Sequence, residues 1–127
     1  MRVLALDYGS ARCGCALSDP TGTIVTPLAV VERPATRRGM LALAQLVQER
    51  DVERVVVGLP LSLRGDDTAQ TREFAQRLAR RLGEHVPVEL YDERFTTRMA
   101  QRLDGAASAS EDSRAAAHML EGWMAAH

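Results

Sequence analysis

Three acids set far apart in the chain, Asp7, Glu93 and Asp112, are the residues best placed to do chemistry. Asp7 closes the apolar run Leu4-Ala5-Leu6 and opens the turn Tyr8-Gly9-Ser10-Ala11-Arg12. A strand so apolar is covered on both faces, and a carboxylate buried there is costly unless it is paired or holds a metal. Gly9 and Gly14 permit a sharp turn and close approach to a ligand, and Ser10 and Arg12 between them carry donors for a phosphate oxygen. A hairpin whose Asp caps its own turn explains the same residues without chemistry. Glu93 lies in Asp92-Glu93-Arg94-Phe95-Thr96-Thr97, directly after a predicted strand. Asp112 stands one turn before Ala116, at the head of an apolar helical stripe, where the helix dipole alone would account for an acid.

Each acid has an ordinary explanation, yet all three fall at ends of elements that can converge. Carboxylates gathered without matching bases repel one another, and divalent cations remove that repulsion. Oxygen-only ligands favour Mg²⁺ or Mn²⁺ over zinc. Two such ions roughly 3.5–4 Å apart can activate water and stabilise a leaving oxygen in phosphodiester hydrolysis. Arg94, Arg98 and Arg102 recur every fourth residue, so a helix there carries a basic stripe, either a solvated face or a phosphate-tracking edge beside the acids. The histidines offer less. His85 and His118 lack a spacing partner at the convergence, His118 falls beside a core stripe and reads as structural, and His127 reads as a frayed terminus.

The elements that must position the acids follow from pattern. The strand ending at Asp7, its return strand and a third from Thr23 to Val31 form an antiparallel meander. A helix from Arg37 to Arg50 turns Met40, Leu43, Ala44 and Val47 inward. Val55-Val56-Val57 is a strand buried on both faces, and the loop after it, from Pro60 to Thr68, sits where open α/β sheets bind ligands. The second helix, from Asp67 to Leu82, turns Thr71, Phe74, Ala75, Leu78 and Leu82 inward and leaves Arg72, Arg77, Arg80 and Arg81 as a solvated face. Val88 to Tyr91 is the last strand. A short helix to Leu103, a loop from Asp104 to Ser110, and a final helix from Glu111 to Ala125 complete the order, the last with Ala116, Met119, Leu120 and Trp123 inward. The expected fold is α/β: a mixed five-stranded sheet, an antiparallel meander of three strands plus two parallel crossover strands, flanked by helices.

The 127 residues suit one domain spanning 1–127, with a net charge of −1, so any nucleic-acid partner must be held by a local patch. All sixteen basic residues are arginine, whose planar forks suit phosphate. No apolar run is long enough to cross a bilayer and no signal pattern opens the chain, which points to the cytoplasm without a membrane partner. Cys13 and Cys15 read as small core fillers on one strand face.

Leu6-Asp7-Tyr8-Gly9 with Gly14 and Ser18-Asp19, Val57-Gly58-Leu59-Pro60 with Gly65, Asp92 to Thr97, and Asp112 with Ala115-Ala116-Ala117 and Met119-Leu120 together resemble the YqgF/RuvX family. Its members are small ribonuclease H-like proteins described as Holliday junction resolvases and as nucleases maturing precursor small-subunit ribosomal RNA. The resemblance spans nearly the whole chain and implies that Asp7, Glu93 and Asp112 hold Mg²⁺ or Mn²⁺. The leading reading is thus a metal-dependent endonuclease, with Gly9, Ser10 and Arg12 positioning a phosphate and Arg94, Thr97 and Arg98 lying along the strand path. Asp92 could exchange roles with Glu93, because adjacent strand residues face opposite ways. The chain departs from the family pattern in its paired cysteines, in a shorter loop after Gly65, and in Glu111-Asp112-Ser113-Arg114 before the alanines.

Two other readings compete. A scaffold that holds nucleic acid or proteins without cutting would gain nothing from a negative cluster. An actin-like phosphotransferase also places an Asp before its phosphate turn, but it needs a second domain to close over ATP. Structured RNA and branched DNA are equally compatible with the arginines, and a two-fold symmetric junction would suit a homodimer.

Overall fold

Val3, Ala5 and Asp7 alternate with Leu4, Leu6 and Tyr8, so a strand carrying both sets must be covered on each side. The computed structural model, which describes residues 1–59, 65–92 and 109–127, supplies both covers. Strands β1 (Val3–Tyr8), β2 (Arg12–Ser18), β3 (Val25–Glu32), β4 (Arg54–Leu59) and β5 (Val88–Asp92) form one sheet in the order β3-β2-β1-β4-β5. β1 pairs antiparallel with β2 and β2 with β3, while β1, β4 and β5 run parallel. Helices α1 (Arg37–Glu49) and α2 (Gly65–Leu82) cover one face, and α3 (Ala109–Ala126) covers the other.

The expected meander and crossovers are therefore present. On the α1/α2 face, Leu4, Leu6, Cys13, Cys15, Val55 and Val57 pack against Met40, Leu43, Phe74 and Leu78, most of them fully buried. The α3 face is built from smaller groups, with Ala5, Ala16 and Val56 meeting Ala116, Ala117, Met119, Leu120 and Trp123. Thr36 caps α1, its hydroxyl accepting from the Gly39 N–H at 3.1 Å. Asp66, Arg94 to Leu103 and the loop from Asp104 fall wholly or partly outside what is described, and α3 already begins at Ala109.

Asp19 closes the β2–β3 turn. Its carboxylate accepts from the Thr21 hydroxyl, from the Ile24 N–H at 2.9 Å and from the Thr23 N–H at 2.7 Å, and these bonds hold its pKa down to about 2. Their contribution to stability is complete above the unfolded value near 3.8 and is lost as pH falls through about 2. An NMR titration is expected to place the Asp19 midpoint near 2; a midpoint near 4 would mean the turn is not held this way.

Two histidines depart from expectation. His118 is exposed on the outer side of α3, with Nδ1 3.7 Å from Glu121, because it falls one position off the buried stripe. His127 is ordered against the helix: its ring stacks on Trp123 at 4.4 Å and its Nδ1 lies 2.8 Å from the Trp123 carbonyl oxygen.

Candidate active site

Asp7 is the penultimate residue of β1, the central strand, and is only 6% exposed. It shares the α3 face with Val3 and Ala5, both packed in the core beneath that helix. Its cross-strand partner is Gly14, and a Cβ built on Gly14 would collide with the Asp112 carbonyl and lie 3.0 Å from the Ser113 nitrogen. Gly14 is thus not a turn residue, as its spacing suggested. It lies inside β2 and lets the first turn of α3 rest directly on the strand.

That close approach brings Asp112 to the end of the sheet where Asp7 stands. The Arg12 Nε donates to Asp112 Oδ2 at 2.9 Å, joining β2 to α3 across 100 residues of sequence. The side chains are 41% and 23% exposed, so the pair positions the carboxylate more than it stabilises the fold. Ser113 supplies a second tie. The β2–β3 register slips between Cys13 and Cys15, and the Cys15 N–H donates instead to the buried Ser113 Oγ at 3.3 Å. Ser113, a departure from the family pattern, was not foreseen as a positioning residue. Nothing local in the sequence marks a contact between positions 15 and 113.

The first turn of the site is tight. A Cβ on Gly9 would stand 2.8 Å from the Arg12 carbonyl oxygen, and Ser10 is exposed at the tip. Arg12, expected to position a phosphate, pairs with Asp112, because the close seating of α3 places a carboxylate within its reach, and its side chain stays 41% exposed. On β5, Val88 and Leu90 point to the α1/α2 core and Tyr91 to the α3 core, so Asp92 continues on the face opposite Asp7. Glu93, Arg94, Thr97 and Arg98 lie outside the described residues.

Among the described residues, no three His, Cys, Asp or Glu side chains gather as a metal site. Two carboxylates do meet the requirement for part of one. Asp7 is buried with its Oδ1 sealed from solvent, and Asp112 lies over its neighbouring strand, an all-oxygen pair suited to a hard divalent ion.

Cys13 and Cys15 are fully buried and form no disulfide. The contact with Cys15, then burial, then the nearby negative charge of Asp7 and Asp112 push the Cys13 thiol well above its ordinary value. The native protein is expected to react with a disulfide reagent at least about a hundredfold more slowly than the urea-unfolded chain; comparable rates would show the strand to be open.

The fold is of the ribonuclease H-like class shared with junction resolvases. It is similar to a structure described as T. thermophilus RuvC in complex with Holliday junction substrate, with a TM-score of 0.65 at 18% identity, covering 99% of this chain and 94% of that one. The fowlpox virus resolvase with its Holliday junction DNA gives a TM-score of 0.58 at 10% identity, covering 99% and 98%. The chain belongs to the RuvX family: the family model described as "RuvX: Holliday junction resolvase" matches residues 1–126. A relative from Anaeromyxobacter sp. (strain Fw109-5) is 42% identical, covering 98% of this chain and 96% of its own. One from Mycobacterium leprae (strain Br4923), also 42% identical, covers 97% of this chain and 72% of its own. Both bear the name "Putative pre-16S rRNA nuclease".

Among the described residues, no helix is long and apolar enough to cross a membrane.

Proposed function

We propose that the chain is a nuclease that hydrolyses phosphodiester bonds in structured nucleic acid, with Asp7, Asp112 and Glu93 as the acids that hold Mg²⁺ or Mn²⁺. The observation carrying this reading is a buried carboxylate at the end of the central strand, on the sheet face where α3 brings a second one. Acids at the end of parallel strands disfavour an approaching nucleic acid unless cations offset their charge, and Arg12 offsets that of Asp112 only in part. Glu93 enters through the family resemblance of Asp92 to Thr97 and lies outside the described residues.

Within this reading, β1 holds Asp7 rigidly, with a hydrogen-bonded strand on either side. Arg12 and Ser113 fix the first turn of α3, and with it Asp112. Arg12 neutralises part of the local negative charge and leaves its exposed edge toward an incoming phosphate. Bound divalent ions would supply an activated water and charge neutralisation at the scissile phosphate.

The substrate class follows the 42%-identical relatives, whose name specifies precursor 16S ribosomal RNA, and the site of action would then be the bacterial cytoplasm. The family model's own description favours a four-way DNA junction as the second reading. A panel of precursor 16S RNA and DNA four-way junctions, each with Mg²⁺, Mn²⁺ or chelator, decides between them. Cutting of the RNA that stops with chelator is expected. Activity undiminished by chelator would remove the metal assignment, and no cutting of either polymer would leave a binding factor.

A further inference from the structure

Three of the four arginines on the outer face of α2 are joined by one from α1. Arg37, Arg77, Arg80 and Arg81 line a cleft of roughly 430 Å³ between the two helices, with Met40 at its floor. Among its described lining residues there is no acid. Arg80 and Arg81 alone would be unremarkable, because they lie in the last turn of α2 and complement its dipole. Arg37 has no such reason. It is the first residue of α1, the end where a helix disfavours a cation, and the fold places it on the same cleft as three further arginines. Glu73, one turn before Arg77 on α2, does not line the cleft, and like charges brought together repel, so the arrangement is relaxed by an anion that spans it.

We propose that this cleft is a second phosphate-binding site, which holds the backbone of a nucleic acid whose scissile segment lies at Asp7 and Asp112. The identity of the occupant rests on the nuclease reading; the anion preference rests on the arginines alone. The Arg77 end of the cleft lies toward the edge of the sheet where β1 ends, and Arg80 and Arg81 continue away from it along α2. Tyr8, the residue after Asp7, turns to the α1/α2 side and stacks on Phe74 at 4.4 Å, and Arg77 follows Phe74 by one turn of α2. Burial and then Cys13 raise the Tyr8 pKa, the Arg77 charge opposes them and Glu73 adds to them, which puts both of these α2 side chains within reach of the end of β1. A strand crossing the acids can therefore pass over the end of β1 and continue along the arginines. Guanidinium forks fit phosphate oxygens in pairs without reading bases, so the site would add affinity and register but no sequence preference.

The test is binding of a fluorescein-labelled hairpin RNA of about 20 base pairs to the full chain in chelator, by anisotropy across a salt series. Arg77→Gln/Arg80→Gln/Arg81→Gln is expected to weaken binding by about tenfold or more and to lower the slope of log affinity against log salt by about 2. The corresponding triple lysine variant should keep the slope, because the charges remain. Arg38→Gln/Arg50→Gln/Arg72→Gln changes net charge equally outside the cleft and should have a much smaller effect. Unchanged affinity in the cleft variant, or an equal loss in the control, overturns the proposal. Should the cleft variant melt early, Arg80→Gln/Arg81→Gln, both exposed, is read by the same criteria. Asp7→Asn assayed alongside separates the two readings: if it still cuts, the nuclease reading fails, whereas unchanged binding in the cleft variant removes only the second site.

Discussion

Replacing Asp7 with asparagine is expected to lower cleavage by about a thousandfold or more while leaving the protein folded. A ligand carboxylate contributes several kcal/mol of charge stabilisation through the ion it holds, and each step of about 1.4 kcal/mol is tenfold in rate. Asparagine keeps the shape of the side chain and removes its charge. The substitution falls at a site that is 6% exposed, where a neutral amide costs less to bury than a carboxylate. In metal-free buffer the melting temperature should stay close to that of the wild type, and a rise on adding Mn²⁺, expected of the wild type, should shrink in the variant. This pairing of lost activity with undiminished stability is what separates a metal-holding acid from a structural one. A variant that melts well below wild type, or cuts at the wild-type rate, would move Asp7 out of the site.

Gly14→Ala is expected to be damaging for a different reason. The added methyl group has no space, because the backbone of Asp112 and Ser113 already occupies it. Either β2 or α3 must shift. Overpacking of this kind costs about 1–3 kcal/mol, a fall of roughly 5–10 °C in Tm for a domain of this size. The displaced turn carries Asp112 away from Arg12 and Ser113 away from the Cys15 N–H, so cleavage should fall by at least about tenfold even below the melting range. An unchanged Tm would show that the helix does not rest on the strand at this point.

The sheet was largely legible because its pattern is local. Val55 to Val57 could only be a strand covered twice, and Met40, Leu43 and Val47 repeat at the spacing of one helix face. The end of β1 and the head of the last helix were likewise readable as the places of Asp7 and Asp112. What escaped were contacts between distant residues. Gly14 looks like half of a glycine-bracketed turn until α3 is laid upon it. Arg12 carries no mark of its pairing with Asp112, nor Ser113 of its role at the slipped register. Arg77, Arg80 and Arg81 read as an ordinary wet face, since only the tertiary fold adds Arg37 to them. The choice between Asp92 and Glu93 turned on register alone, and the alternation through Val88, Leu90 and Tyr91 sets Asp92 away from Asp7.

The seam between α3 and the sheet is uneven along its length. Met119, Leu120 and Trp123 bury large side chains toward the C-terminal half of the helix, whereas the half bearing Asp112 meets the sheet through alanines, Gly14 and a few polar ties. Buried apolar area, and with it the free energy of local opening, is concentrated at the far end. Amide exchange should accordingly grade along α3, fastest in its opening turns and slowest near Trp123, with β1 slower still. The two acids then differ in kind: Asp7 stands on the central strand with a paired strand on either side, while Asp112 stands on the end of α3 that buries the least apolar area.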